Sequence, residues 1–406
     1  MTITSSEPTV APQYPMEKKP TCPFAPAEEL RQLAAQSPIS RVQIWDGSTP
    51  WLVGGYAEMK ALTSDPRVSV DDTLPGFPHW NAFVAQYHRP RSVFNSDGEQ
   101  HSHYRRMMTK PFTVKKVNEL RPAIQRIVDE KIDAMLNRPK PVDLVTALAL
   151  PVPSLVISEI LGVPEKDRQY FEEEAFHATD HDATVDEKIA AAQALIGYLT
   201  KLVEQKMANP SDDHVSELAR RVKAGEIPLA EAAYLAAGLL SAGHETTANM
   251  IGLGVAALLQ SPDQLAIMRD STDMAVTANA VNELLRYLSI VHHGQRRIAL
   301  EDIKINGVHI QAGDGIILDL SPANWDERVF PNPGQLDLHR PAGSHVAFGF
   351  GPHQCVGQQL ARAELQIVYP TLFRRIPSLQ LAIPASEIPF MYRELAFGVY
   401  SLPVTW

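Results

Sequence analysis

The stretch Phe348-Gly-Phe-Gly-Pro-His-Gln-Cys-Val-Gly-Gln-Gln-Leu-Ala-Arg-Ala-Glu364 decides how the rest of the chain is read. It holds Cys355, one of two cysteines in 406 residues. Gly349 and Gly351 lack a Cβ, so the backbone here can turn tightly and come close to a flat ligand. Gly357 lets a helix begin right after the sulfur. That helix is predicted from Ala361, Leu365 and Val368 recurring on one face, with Arg362, Glu364 and Gln366 pointing elsewhere. A cysteine ahead of a helix N-terminus faces amide N–H groups and a positive dipole end, which favour thiolate over thiol. That arrangement makes a metal ligand.

Two plainer readings compete. A lone cysteine is commonly a small buried hydrophobe, but such a residue has no need of three glycines around it. His353 and Cys355 could be half of a zinc site, yet zinc needs further ligands at suitable spacing, and Cys22 stands alone in a proline-rich segment. Thiolate ligation of haem iron fits a single cysteine in a glycine-bounded loop, with the following helix beneath the macrocycle.

The fixed positions Phe348, Gly349, Gly351, His353, Cys355, Gly357, Leu360, Ala361, Arg362 and Glu364 resemble the haem-binding signature of the cytochrome P450 superfamily. The resemblance covers most of the chain and is strongest to actinobacterial members ending, like this one, in Leu-Pro-Val-Thr-Trp. It implies a mainly α fold with a small β region and haem b between a long distal helix and the helix after Cys355. It also implies one catalytic domain over 24–406, behind a flexible arm at 1–23.

Composition sets further bounds. A net charge of −10 and a pI near 5.8 argue against nonspecific nucleic-acid binding, which wants a basic surface. The N-terminus has neither the apolar core of a signal peptide nor any run able to span a bilayer, so a soluble, cytoplasmic, monomeric enzyme off the membrane is expected. Two cysteines in different surroundings give no disulfide framework. The length leaves no room for a fused reductase, so electrons are expected from a separate ferredoxin and ferredoxin reductase.

Taken in order, Ala27 to Gln36 reads as a helix, and Arg41–Trp45 and Trp51–Gly54 as a hairpin turning at Asp46-Gly47. Tyr56 to Ser64 reads as a helix, then roughly thirty residues to Asp97 as a functional loop. Helices are expected over Val114–Leu136, Asp143–Leu161, Glu165–His177, Val185–Met207 and Asp212–Ala224, with a polar loop at His177–Glu187. Leu229 to Gln260 is a long apolar helix interrupted by Ala242-Gly-His-Glu-Thr-Thr247. Glycine weakens a helix and threonine can bond its own i−4 carbonyl, so these residues need a reason to be there. Lys304–Ile310 reads as a hairpin with an Asn-Gly turn.

The resemblance implies roles for these positions. Ala242 and Gly243 face the haem where the helix opens a groove, and Glu245 and Thr246 supply protons during dioxygen activation. His101 and Arg105, one helical turn apart, hold a propionate, although Asp97-Gly-Glu-Gln-His101 departs from the usual Pro-Glu-His lead-in. Arg297, opening a strand, and His353 hold the propionates as well. Glu283, Arg286 and Arg340 form a buried structural ion network. Val291, His292, Leu395 and Ala396 line the substrate pocket; His292 and His293, adjacent in an extended segment, would point to opposite sides. A basic patch of Arg105, Arg106, Lys110, Lys115, Lys116, Arg362, Arg374 and Arg375 would dock an acidic ferredoxin. The implied reaction is hydroxylation of a mid-sized, mostly apolar molecule with dioxygen and two electrons. A nitric-oxide reductase of the same superfamily and a haem-thiolate sensor are the rival readings; neither accounts as well for Glu245-Thr246.

Overall fold

This computed structural model describes residues 11–86, 90–170, 173–174 and 184–406. Along the chain run helices α1 (Glu28–Gln36), α2 (Tyr56–Thr63), α3 (Ala82–Gln86), α4 (Gly98–Thr109), α5 (Val114–Leu136), α6 (Pro151–Leu161) and α7 (Val185–Ala208). They continue with α8 (His214–Lys223), α9 (Leu229–Leu259), α10 (Pro262–Asp270), α11 (Met274–Leu288), α12 (Leu320–Asn324) and α13 (Gln358–Arg375). Short strands lie between them: β1 (Ile39–Arg41), β2 (Trp51–Val53), β3 (Val68–Ser69), β4 (Val142–Asp143), β5 (Gln295–Ala299), β6 (Ile303–Ile305), β7 (Val308–Ile310), β8 (Gly315–Leu318), β9 (Gln380–Leu381) and β10 (Pro403–Thr405). The chain forms two compact units. One comprises Met1–Tyr104, Val291–Gln335 and His345–Gln354; the other comprises Arg105–Ile290, Leu336–Ser344 and Cys355–Trp406.

The first unit is built on a sheet of order β1-β2-β8-β5-β3. β8 is buried along its whole length, as a central strand must be, and pairs parallel to β2 and antiparallel to β5. Its core joins Val53, Ile316 and Leu318 to Met59 and Leu62 of α2. The first hairpin strand is Ile39–Arg41, two residues earlier than expected; beyond the Arg41–Trp51 pair single hydrogen bonds, Val42 N–H to Pro50 at 3.1 Å and Ile44 N–H to Ser48 at 3.0 Å, carry the hairpin to its turn at Gly47, at φ 82°. The stretch before Asp97 carries β3 and α3 within its loops. Tyr14 is buried and donates its hydroxyl to Asp319 at 2.7 Å, while its N–H bonds Gln43.

The second unit is helical. α9 is buried on all sides from Thr247 to Leu258, the pattern of a core helix. It packs against α6, α7 and α13. Tyr369 on α13 donates its hydroxyl to the Met250 carbonyl. A Cβ at position 254 would lie 2.1 Å from that hydroxyl, so Gly254 is what lets the two helices meet. The helix expected over Asp143–Leu161 is three pieces: β4, which pairs with β10, a π-helical turn at Val145–Ala149, and α6. Pro151 and Pro153 carry no N–H and cannot extend a helical ladder backward, and the Asp143 carboxylate takes the Val145 N–H at 3.1 Å instead. Of the helix expected at Glu165–His177, residues 168–170 and 173–174 are helical. Residues 171–172 and 175–183, with most of the expected polar loop, lie outside the described residues.

The expected ion network is present. Arg286 donates to both Glu283 carboxylate oxygens at 2.7 and 2.8 Å, and Arg340 donates to Glu283 at 3.1 Å. Glu283 also accepts the Asp337 N–H at 3.2 Å. Both Glu283 and Arg286 are wholly inaccessible to water. Removing one partner strands the other charge in the interior. Arg286→Met should therefore cost about 3–5 kcal/mol of unfolding free energy, read by urea denaturation; a loss under about 1 kcal/mol would mean that solvent reaches the pair.

Candidate functional site

In the second unit, Cys355 stands just ahead of α13, with Gly357 as the N-cap. The backbone N–H groups of Gly357 and Gln358 point at its sulfur, and the guanidinium groups of Arg105 and Arg362 lie near enough to act on it. The residue is exposed although protein surrounds its thiol, and burial outweighs those positive partners, pushing the thiol up rather than down. This corrects the expectation drawn from the helix dipole: N–H groups alone do not make a free thiolate here. They do provide a cradle for one held by a metal. Arg362 is oriented by Asn282 at 2.9 Å and by Gln358 at 2.9 Å. Glu364 and Gln366, expected on an outward face, are buried, because α13 is enclosed on every side through its middle. Gln366 accepts from Arg121, whereas the Glu364 carboxyl, with one oxygen unpaired, is pushed up to about 8 by burial.

Three predicted cofactor ligands gather in the first unit. The His101 and His353 rings lie 4.1 Å apart. His353 contacts Asp97 at 3.2 Å, and Asp97 also takes the Ser69 hydroxyl at 2.6 Å and the Val70 N–H at 3.1 Å. Asp97 was seen in the sequence only as a departure before His101; its structural work depends on β3, which no local pattern reveals. Arg297 sits mid-strand in β5, not at its start. It is buried, bonds only the Arg296 carbonyl at 2.7 Å and Gln295 at 3.3 Å, and burial lowers its pKa to about 10. No carboxylate pairs with it among the described residues. A Cβ on Gly349, at φ 73°, would reach within 3.0 Å of that Gln295 side chain, and one on Gly351 within 2.5 Å of the Thr63 carbonyl. Phe348 packs on His345, ring to ring at 5.7 Å.

The Ala242–Thr247 segment does not interrupt its helix: α9 is continuous through it. The backbone ladder survives because Thr246 turns its hydroxyl inward, donating to the Ala242 carbonyl at 2.8 Å. Ala242 is exposed, and Gly243, Glu245 and Thr246 are partly so, while His244 and Thr247 are buried. α9 thus shows an accessible face at mid-length. His244 bonds the Leu150 carbonyl through Nε2 at 3.1 Å.

Elsewhere the expectations divide. His292 and His293 do not point apart: their rings stack at 4.1 Å and 25°. The backbone bends here rather than running extended, with Gly294 at φ 68° directly after. His292 is buried and Val291 partly so; in the second unit Leu395 is 49% exposed and Ala396 buried. The basic patch is thinner than its sequence. Lys110 pairs with Glu217, Lys116 with Glu119 and Asp212, and Arg375 with Asp129 and Asp133, while Arg374 bonds backbone carbonyls. Arg105, Arg106 and Lys115 make no ion pair among the described residues.

A family model described as Cytochrome P450 matches residues 67–396. This chain belongs to the cytochrome P450 family. It is 59% identical, over its whole length and 99% of the relative's, to cytochrome P450 CYP105Q4 of Mycobacterium marinum. It is 52% identical to cytochrome P450 GfsF of Streptomyces halstedii, over 98% of this chain and 96% of that one. The crystal structure of GfsF superposes with a TM-score of 0.94, covering 98% of this chain and all of that one. That of MoxA from Nonomuraea recticatena gives 0.93 at 45% identity, over 97% of this chain and 98% of that one.

The fold is therefore the mainly helical P450 fold with small sheets, and the protein is a cytochrome P450 monooxygenase. The family implies a haem. The residues present fit one: in the second unit a thiol with N–H groups and guanidinium groups aimed at it, and in the first a buried Arg297 that pairs with no carboxylate among the described residues. Among the described residues no group of three or more His, Cys, Asp or Glu gathers as an alternative metal site. No single helix among them is long and apolar enough to cross a membrane.

Burial also sets an acid limit. His244 and His214 are buried, and desolvation lowers each to about 4. An unfolded histidine takes its proton near pH 6.5, so below that the unfolded chain binds more protons. Stability is then full above pH 6.5 and drains as pH falls toward 4. Each histidine should account for about 2 kcal/mol lost between pH 7 and pH 5. His214→Gln should flatten the pH dependence of the unfolding free energy by that amount; an unchanged slope would contradict it.

Proposed function

We propose that this P450 hydroxylates a mid-sized, mostly apolar small molecule at a haem b whose iron is bound by Cys355. The observation that carries the reading is Cys355 itself, an exposed residue whose sulfur is cradled by the Gly357 and Gln358 N–H groups and by Arg105 and Arg362. Arg297, Arg105, His101 and His353 would hold the propionates, since unpaired guanidinium groups suit carboxylates. Phe348, Gly349, Gly357, Ala242 and Gly243 would line the macrocycle. Relatives carry names such as mycinamicin VIII C21 methyl hydroxylase (39% identical) and pentalenic acid synthase (43%), which supports a natural-product or xenobiotic substrate. Val291, His292, Leu395 and Ala396 are our candidates for contacting it.

When bound, a thiolate-ligated haem supplies reductive activation of dioxygen, the thiolate pushing electron density toward O–O cleavage. The chain supplies charge control and protons. Backbone N–H groups and two guanidinium groups stabilise negative charge on Cys355 once a metal replaces its proton. Thr246 keeps its hydroxyl on the Ala242 carbonyl at rest and retains lone pairs to accept a proton. A rotation about χ1 would turn that hydroxyl to the exposed face. Glu245, partly exposed, can exchange protons with solvent and reload Thr246. Electrons would come from a separate ferredoxin and reductase, with Arg106 and Lys115 as the unpaired cations open to an acidic partner.

Reduced protein with carbon monoxide should give the red-shifted Soret band of thiolate ligation, and Cys355→His should abolish it. A band that survives in the variant would assign the ligand elsewhere.

In turnover driven by added ferredoxin and reductase, Thr246→Ala should keep haem and substrate affinity but send most electrons into hydrogen peroxide. Product per nicotinamide is the readout. Wild-type yield from the variant would remove the proton role, and turnover indifferent to ferredoxin would remove the partner.

A further inference from the structure

We propose that Asn249 is a positioning residue for substrate selection. Its side-chain amide ties the loop bearing Leu395 and Ala396 to α9 three residues beyond Thr246, so the loop's placement and the register of the Glu245–Thr246 segment are set together. Asn249 is buried, and its Nδ2 donates to the Ala396 carbonyl at 3.3 Å. The same amide is gripped from the other side of the loop. A Cβ on Gly398 would lie 2.3 Å from the Asn249 Oδ1, so only glycine lets the loop close on it. A second contact follows one turn on, where Gly252 would bring a Cβ within 3.1 Å of Val399.

The rest of the loop is anchored away from α9. Phe397 donates its N–H to the Ile290 carbonyl at 2.8 Å, Met391 donates to Gly398 at 2.9 Å, and the Phe390 and Phe397 rings stack at 5.8 Å. Between these anchors Leu395 projects, exposed, one residue before the carbonyl that Asn249 holds. Positions three and four apart on a helix are neighbours on its surface, so Asn249 adjoins both Thr246 and Glu245. A ligand large enough to reach Leu395 therefore packs against a loop that the Asn249 bond holds in place, whereas one too small to reach the loop gains nothing from it.

This inference rests on the haem reading, and azole ligands separate the two. Imidazole needs only the iron, while clotrimazole brings three aryl rings that must find room beside it, where the pocket proposed above places Leu395. In purified holoenzyme followed by its absorption shift, Asn249→Leu, of similar volume but without a donor, should raise the Kd for clotrimazole about fivefold to tenfold, the worth of one buried hydrogen bond. The Kd for imidazole should stay within about twofold. Gly398→Ala should do the same, and the double variant should be no worse than either single one, because both break one contact. Asn249→Ala serves should the leucine variant not fold. Parallel weakening of both azoles, an unchanged clotrimazole Kd, or additive effects would each overturn the proposal. Absence of any imidazole shift in the unsubstituted protein would overturn the haem reading, and this one with it.

Discussion

The cost of placing negative charge on a sulfur surrounded by protein is the constraint on which the proposed haem site depends. Desolvation opposes that charge, and here desolvation prevails while the thiol keeps its proton. The surroundings are arranged for the other state: two backbone N–H groups at the start of α13 and two guanidinium groups, none of which needs to move. Arg362 is held by Asn282 and Gln358, so its charge stays beside the sulfur. Exchange of the proton for the iron of the proposed haem would convert an unfavourable burial into a satisfied one.

The same logic of charge without solvent recurs in the Glu283–Arg286–Arg340 network. Glu283 there accepts from two arginines and a backbone N–H. Such a group stabilises little relative to apolar packing, but it penalises every arrangement that leaves a charge unpaired. It links α11 to the 336–344 segment.

α9 solves a different problem. A core helix must be apolar, yet this one carries polar groups at mid-length. The helix keeps its ladder, buries His244 on the Leu150 carbonyl, folds Thr246 onto Ala242 and ties Asn249 to Ala396. Each polar side chain is satisfied by a carbonyl, and the accessible face between them carries Glu245 and Thr246.

By itself the sequence determined the family and placed the ion network, because glycine, cysteine and paired charges at fixed local spacing carry their physical reason with them. Helices such as Val114–Leu136 were legible for a similar cause, since their apolar period of about 3.6 is written within each segment. Only the tertiary structure decided that Glu364 is buried, that Asp97 holds His353, that His292 and His293 stack, and that Lys110, Lys116 and Arg375 of the basic patch are already paired with acids. These depend on residues distant in sequence: β3 brings Ser69 to Asp97, and α5 brings acids to Arg375. A side chain's charge and exposure are properties of its neighbours in space, and neighbours separated by a hundred residues leave no periodic trace in the chain.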